Sequence, residues 1–247
     1  MGAEAELNTG GGMRIRAGTS GWSYKEWKGH FYPEKLAARN MLSFYAGRFR
    51  TVEVNNTFYR MPREALLQGW AAEVPEDFAF VLKAPKRITH DQRLRDVGES
   101  LAFFIATANV LGARLGPLLF QLPPFLKKDL LLLQTFLAQL PDGCRAAVEF
   151  RHASWFEDDV FTALRARNAA LCIADTGEEL DAPFVATADW GYLRLRRVEY
   201  HPGDVEGWAE RVQAAPWGDA FVFFKHEDEG TGPRLAAQFM ERVAAPA

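Results

Sequence analysis

Short runs of apolar, β-branched and aromatic residues recur along the chain, and stretches with helical amphipathic spacing lie between them. A short apolar run bounded by turn residues is typical of a buried strand, whereas apolar residues at helical spacing are typical of a helix that packs one face. We predict eight strands, at Met13–Gly18, Thr51–Asn56, Phe78–Ala84, Pro117–Leu122, Ala146–Arg151, Ala170–Asp175, Gly191–Arg197 and Ala220–Lys225.

Helical stretches separate most of these strands and close the chain. We predict them at Arg39–Phe49, Pro62–Glu73, Glu99–Leu111, Asp129–Leu140, Trp155–Arg167, Val205–Ala214 and Pro233–Val243. Strands that alternate with helices are typical of parallel βαβ units. Because eight such units in 247 residues match the size of one (β/α)8 barrel, we predict an α/β fold of the TIM-type barrel class as a single domain. An open doubly wound sheet is the alternative with the same alternation.

The sixth connection, Thr176–Trp190, departs from this pattern. It contains Pro183, a glycine and two acidic pairs, but no long amphipathic stretch. We therefore expect the sixth helix to be reduced or missing.

Composition places the chain among ordinary globular proteins, with 48% hydrophobic and 25% charged residues. Residues 1–12 are rich in glycine and are expected to form a disordered tail before a barrel at residues 13–247. The net charge of -3 argues against a protein that coats nucleic acid or anionic membranes. Two cysteines and no apolar run long enough to span a bilayer favour a cytoplasmic protein without a membrane partner.

The alternation within the strands indicates which side chains point into the barrel. Val52, Val54, Phe80 and Leu82 share the parity expected of residues that face the helices. The opposite parity then points inward and gathers polar residues late in the strands: Glu53, Asn55, Lys83, Gln121, Glu149, Arg151, Asp175, Arg194, Arg196 and Lys225. Internal ion pairs that only stabilise packing would explain such residues, but the carboxyl ends of barrel strands are also where active sites lie.

This inward set has three carboxylates against five cations, so we expect a net-positive barrel mouth that binds a small anionic ligand. Further cations follow in the third βα loop, at Lys86, Arg87, His90, Arg93 and Arg95. The loop cations could instead pair with Asp91, Asp96 and Glu99. In the first βα loop, Trp22, Tyr24 and Trp27 could stack on sugar rings or bases, or simply cap the barrel.

Five segments carry a more specific signal than the alternation. They are Gly18-Thr19-Ser20-Gly21-Trp22, Glu53-Val54-Asn55-Asn56-Thr57-Phe58-Tyr59, Lys83-Ala84-Pro85 with Thr89-His90, Phe120-Gln121-Leu122-Pro123-Pro124, and Glu149-Phe150-Arg151-His152 with Trp155-Phe156. In this order they resemble the YecE-like family, also called domain of unknown function 72, from about Arg14 to the last predicted helix. The resemblance implies a TIM-type barrel and carries no assigned biochemical role.

The resemblance also marks single residues as members of the family's shared motifs: Trp22, Glu53, Asn55, Lys83, His90, Gln121, Glu149, Arg151 and Arg194. The chain departs from the commoner family pattern in two places. Arg196-Arg197 stands where many relatives have His-Gly, and Lys225-His226-Glu227 stands where many have a pair of asparagines. The resemblance therefore implies no role for the residues at those two places.

The leading functional hypothesis is an enzyme that uses acid-base or electrostatic catalysis on a phosphate- or carboxylate-bearing substrate, with hydrolase, isomerase and lyase chemistry open. The expected catalytic residues are Glu149 for proton transfer, Lys83 with Arg151 for charge stabilisation, and Glu53 with Asp175 for orientation. The expected substrate-binding residues are Trp22, Tyr24, Asn55, His90, Gln121, Arg151, Arg194, Arg196 and Lys225.

Three alternatives stay open beside this hypothesis. A divalent metal could be the cofactor, held by Glu53, Glu149, Asp175 and His226. The aromatic loop and the arginines could bind or process single-stranded nucleic acid through stacking and phosphate contacts. A sensor that binds the same ligand without turnover is the third.

Overall fold

All eight predicted strands form in the computed structural model, which describes residues 12–177 and 182–245. The strands are β1 (Arg14–Thr19), β2 (Thr51–Val54), β3 (Ala79–Lys83), β4 (Leu115–Gln121), β5 (Ala146–Glu149), β6 (Ala170–Asp175), β7 (Trp190–Leu195) and β8 (Asp219–Phe224). The predicted Gly-rich tail lies, except for Gly12, outside the described residues.

The strands pair in parallel in the order β1-β8-β7-β6-β5-β4-β3-β2. Between β1 and β2 an isolated bridge joins Ser20 to Glu53, and the amide of Gly21 donates to the carbonyl of Glu53 (2.8 Å). Gly18 permits this approach, because a Cβ atom there would lie 2.2 Å from the carbonyl oxygen of Thr51. The fold is therefore the predicted α/β TIM-type barrel and not an open doubly wound sheet.

Helices surround the barrel in the described part of the chain. They are α1 (Met41–Ala46), α2 (Glu64–Glu73), α3 (Gly98–Ala108), α4 (Leu130–Ala138), α5 (Asp158–Arg165), α6 (Pro202–Gln213) and α7 (Thr231–Ala244). Between β6 and β7, residues 176–177 and 182–189 form no helix, as expected for the sixth connection. None of the helices in residues 12–177 and 182–245 combines the length and apolar character needed to cross a membrane.

Two apolar layers result from the alternation along the strands. Small and aromatic side chains such as Val81, Ala147 and Tyr192 fill the barrel interior. Their strand neighbours, such as Phe80 and Val148, pack with the helices in the larger outer core, as the parity predicted. The polar side chains at the carboxyl ends of the strands lie directly above this packed inner layer.

Candidate functional site

A single buried guanidinium joins the two carboxylates at the barrel mouth. Arg194, near the end of β7, donates from Nη1 to Oε2 of Glu149 (2.6 Å) and from Nη2 to Oε1 of Glu53 (2.8 Å). All three side chains are at most 2% exposed. Buried charges of this kind persist only when they are paired and hydrogen bonded. The barrel thus brings together residues from β2, β5 and β7, as the sequence predicted.

Glu53 uses its remaining acceptor capacity on neutral donors. Oε1 accepts from Ser20 Oγ (2.7 Å) and Asn55 Nδ2 (2.9 Å), and Oε2 accepts from the Tyr192 hydroxyl (2.6 Å). Burial opposes ionisation of Glu53, but the Arg194 cation and these hydrogen bonds outweigh it and hold the pKa below its usual value. Glu53 is therefore an ionised anchor for Arg194.

Glu149 is held in the ionised state as well, but beside a second set of cations. Gln121 Nε2 donates to its Oε1 (2.8 Å), and Arg196 Nη2 and Arg151 Nε lie 3.7 and 4.0 Å from that same oxygen. Burial raises the pKa of Glu149, but Arg194 and Arg196 together hold it at about 2. At neutral pH this side chain has no proton to donate and is a weak base.

Lys83, the last residue of β3, has a different environment. Its Nζ donates to Gln121 Oε1 (2.7 Å) and lies 4.2 Å from the centroid of the Phe58 ring. Burial and the Arg194 cation lower the pKa of Lys83 to about 8, despite the opposing attraction of Glu149. His90 packs edge-to-face on the same Phe58 ring, with centroids 4.9 Å apart. Lys83 therefore titrates closer to neutral pH than Glu149.

The mouth carries an excess of positive charge, as predicted. In the described part of the chain, Lys83, Arg151, Arg194 and Arg196 surround the two carboxylates. The side chains of Arg196 and Arg151 are 14% and 36% exposed, so these cations form the solvent side of the cluster. An anion from solution would meet them first. Lys225 is exposed and, among the described residues, makes no ion pair with either carboxylate.

Asp175 does not belong to this site, and the prediction that it points into the barrel is wrong. It shares its parity in β6 with Ile173, which faces the helices. Its carboxylate accepts hydrogen bonds from Trp208 Nε1 (2.9 Å), the Tyr200 hydroxyl (3.0 Å) and Arg197 Nε (2.6 Å). Strict alternation from Ile173 already indicates this outward direction.

The four predicted metal ligands do not form one group. Glu53 and Glu149 bind Arg194, Asp175 faces outward, and His226 Nε2 contacts the carbonyl oxygen of Arg197 (2.7 Å). No group of three or more His, Cys, Asp or Glu side chains in residues 12–177 and 182–245 is placed to hold a metal ion.

The first βα loop has two parts with different roles. Trp27 is fully buried and packs in the outer core against Phe31 and Tyr32. Trp22 and Tyr24 instead line a cavity of 620 Å³ that also reaches Asn55. Trp70 of α2 forms its wall and contacts Trp22 edge-to-face, with ring centroids 5.1 Å apart. A pocket of this size and character suits the apolar part of a small ligand.

Two cations of the third βα loop form ion pairs with acidic side chains. Lys86 Nζ lies 3.5 Å from Asp91, and Arg95 Nη2 lies 3.0 Å from Asp129 of the following loop. Arg93 and Leu94, between these two pairs, both have positive φ, of 51° and 66°. The expected pairing with acidic side chains is thus present for Lys86, while Arg95 finds a partner that the sequence did not indicate.

Four contacting residues were missed by the sequence prediction: Ser20, Phe58, Tyr192 and Trp70. Tyr192 has the same parity as Arg194 in β7, so alternation could have identified it. Phe58 and Trp70 carry no such signal, because a short 3-10 turn and the face of α2 place them.

Comparisons with known proteins agree with the fold. The family model described as "Protein of unknown function DUF72" matches residues 16–247. UPF0759 protein YunF of Bacillus subtilis is 26% identical over 230 residues, covering 87% of this chain and 79% of that protein. UPF0759 protein YecE of Escherichia coli is 32% identical over 143 residues, which are 58% of this chain and half the length of that relative.

Solved structures give the same result. A DUF72 family protein of Thermotoga maritima superposes with a TM-score of 0.83 at 27% identity, covering 94% of this chain and 99% of that one. A DUF72 family protein of Enterococcus faecalis gives a TM-score of 0.79 at 19% identity, covering 94% and 96% of the two chains, a likeness of fold.

Proposed function

This chain belongs to the DUF72 family of proteins of unknown function, and from that premise we propose that it is an enzyme for a small phosphate- or carboxylate-bearing substrate. The substrate binds at the carboxyl-end mouth of the barrel, and the chemistry is acid-base and electrostatic. The observation that carries the proposal is the buried Lys83 beside the solvent-facing cations Arg151 and Arg196. Location in the cytoplasm stays a prediction from the sequence.

Electrostatics favours an anion at this place. Glu53 and Glu149 are committed to Arg194, so Lys83, Arg151 and Arg196 leave an excess of positive charge near Glu149. Charges in a partly buried site interact more strongly than charges in water, because the effective dielectric constant is lower. Cations already fixed at the mouth would also stabilise negative charge that develops during a reaction, without reorganisation.

The division of roles differs from the sequence hypothesis. Glu149, expected to transfer the proton, has a pKa of about 2 and serves instead to position Arg194 and Arg196. Lys83 has a pKa of about 8, which is close to the optimum for a group that exchanges protons near neutral pH. We therefore assign acid-base work to Lys83 and anion binding to Arg151 and Arg196.

Binding of inorganic phosphate, measured by calorimetry or amide chemical shifts at low ionic strength, tests the anion site. Arg196→Gln should weaken binding about fivefold, as expected when one contact worth about 1 kcal/mol is lost. Arg242→Gln is the matched control, because Arg242 lies near the end of α7 in an exposed pair with Glu206. Equal affinity in both variants would place any bound phosphate elsewhere.

Turnover is tested with a panel of phosphorylated and carboxylated metabolites. An enzyme should lose turnover in Lys83→Gln, whereas a sensor would keep binding and show no turnover in either form. A single-stranded oligonucleotide is the competing ligand. Affinity for it that falls steeply with salt and is lost when Arg93 and Arg95 are neutralised would favour the nucleic-acid alternative.

A further inference from the structure

Lys83 is the exception among the buried charges of the mouth. It is 9% exposed, yet no carboxylate among the described residues lies within ion-pair distance of its Nζ. Glu53, Glu149 and Arg194 satisfy one another, while Lys83 has one hydrogen bond, to Gln121 Oε1, and one aromatic face, that of Phe58. A neutral amine needs no more than this, since it can donate to Gln121 and keep its lone pair available.

The surroundings also favour the neutral amine chemically. With its pKa near 8, about half of Lys83 is unprotonated at pH 8, whereas a lysine in water, with a pKa of about 10.4, is then almost fully charged. Desolvation beside another cation is one of the ways in which proteins activate lysine as a nucleophile toward carbonyl compounds. Arg194 is that cation here.

We propose that Lys83 forms an imine with the carbonyl carbon of its substrate, an aldehyde or ketone that carries a phosphate or carboxylate group. This inference rests on the proposed function, because Arg151 and Arg196 bind the anionic group while the carbonyl lies at Nζ. Gln121 contacts both Lys83 and Glu149, so it sets the spacing between the carbonyl group at Lys83 and the anionic group at the arginines beside Glu149. Small oxo acids and phosphorylated aldehydes have that form.

The reaction balances with Lys83, the substrate and protons exchanged with solvent. Lys83 loses its ammonium proton to solvent, and the amine nitrogen attacks the carbonyl carbon, forming a C–N bond. A proton moves from this nitrogen to the former carbonyl oxygen, giving a carbinolamine. A proton from solvent is added to that hydroxyl group, the C–O bond breaks as the nitrogen lone pair forms the C=N bond, and water leaves. The net reaction joins an ammonium and a carbonyl into a protonated imine and one water.

His90 is half-buried against the Phe58 ring that also faces Lys83. Burial and the Lys83 cation lower the pKa of His90. The protonated imine withdraws electrons from the adjacent carbon. Cleavage of a C–H or C–C bond next to it would give isomerase or lyase chemistry.

Reductive trapping tests the proposal on the full chain. The protein is incubated at pH 8 with glycolaldehyde phosphate, or with neutral glycolaldehyde as the matched probe, and sodium borohydride is added. Hydride addition converts an imine into a stable secondary amine, which intact mass and peptide mapping detect. We expect one adduct, at Lys83, formed at least tenfold faster with the phosphorylated probe. The rate should rise with pH through an apparent pKa near 8.

Two variants define the outcome. Lys83→Met should lose the adduct, whereas Lys127→Met, which removes an exposed lysine, should keep it. Circular dichroism of both variants confirms folding, and Lys83→Arg is the second substitution if Lys83→Met is unfolded. No adduct at Lys83, together with phosphate binding that depends on Arg196, overturns the imine alone. An adduct at Lys83 formed equally fast by both probes overturns the anion site instead.

Discussion

Arg194 Nη1 lies 2.6 Å from Oε2 of Glu149, so the seventh and fifth strands are joined by a charge-assisted hydrogen bond at the barrel mouth. The second nitrogen of the same guanidinium binds Glu53 of the second strand. A triad of this kind fixes three strand ends relative to one another. It also pairs both carboxylates with one buried cation, while Arg151 and Arg196 lie on the solvent side of the cluster.

Replacing Arg194 with methionine should destabilise the protein strongly. Removal of one partner from a buried ion pair costs about 3–5 kcal/mol, because the remaining charges are left unpaired. Urea unfolding measures the free energy. Arg242→Gln, which breaks an exposed ion pair, should change it by less than about 1 kcal/mol. Similar values for both variants would show that the triad does not contribute to stability.

The Glu149 carboxylate should make stability fall in acid. Its folded pKa of about 2 is below its usual value of 4.5, so its contribution is fully present above pH 4.5 and is lost as the pH falls toward 2. The difference in unfolding free energy between wild type and Glu149→Gln should therefore shrink between pH 5 and 2. Parallel curves for the two proteins would contradict the assignment.

Lys83 should also make stability fall as the pH falls, but at higher pH. Its folded pKa of about 8 is below its usual value of 10.5, so the folded state binds fewer protons than the unfolded state between these values. Stability then rises with pH across this interval, and the buried charge costs stability below it. Lys83→Met should be about 1–3 kcal/mol more stable at pH 7, since each pKa unit corresponds to about 1.4 kcal/mol.

Lys127→Met is the control for that measurement, because Lys127 is exposed. Its stability should follow wild type at all pH values. A Lys83→Met protein that is less stable than wild type at pH 7 would mean that the lysine is held by favourable contacts. Greater stability in the variant is the pattern expected of a residue kept for function.

Asp175 should contribute to the stability of the protein but not to phosphate binding at the mouth. Asp175→Ala leaves the buried indole of Trp208 and the hydroxyl of Tyr200 without their acceptor, at a cost of about 2–4 kcal/mol. Phosphate affinity should stay within about twofold of wild type, because no charge at the mouth changes. A tenfold loss of affinity would return Asp175 to the site. Asp142→Ala, at an exposed carboxylate, is the control for stability.

Gly18 should tolerate no side chain. In Gly18→Ala the added methyl group would lie 2.2 Å from a backbone oxygen, so β1 and β2 would have to separate. We expect a loss of more than about 3 kcal/mol, at the upper end of overpacking effects. Gly69→Ala in α2 is the matched control: nothing lies within 4 Å of its added methyl group, and helix propensity predicts equal or greater stability.

Part of the site could be predicted because the direction of a side chain follows from its position in a strand. Alternation and strand direction are properties of short segments, so the sequence could predict which residues meet at the mouth. These are Glu53, Lys83, Gln121, Glu149 and Arg194. Asp175 lies outside the site because alternation along β6 turns it outward together with Ile173. Phe58 and His90 could not be paired from the sequence, because two separate loops bring their rings together.

The repeating apolar pattern by itself determined the barrel, the absence of a helix in the described part of the sixth connection, and the gathering of polar residues at one end. These follow from the periods of strand and helix, which every segment carries in its own residues. Only the tertiary structure decided which charges pair. Protonation depends on distance and burial, and these arise between strands far apart in the chain. The sequence therefore identified Glu149 and Lys83, and packing set their protonation: Arg194 and Arg196 hold the pKa of Glu149 at about 2, and burial with a nearby cation lowers the pKa of Lys83 to about 8.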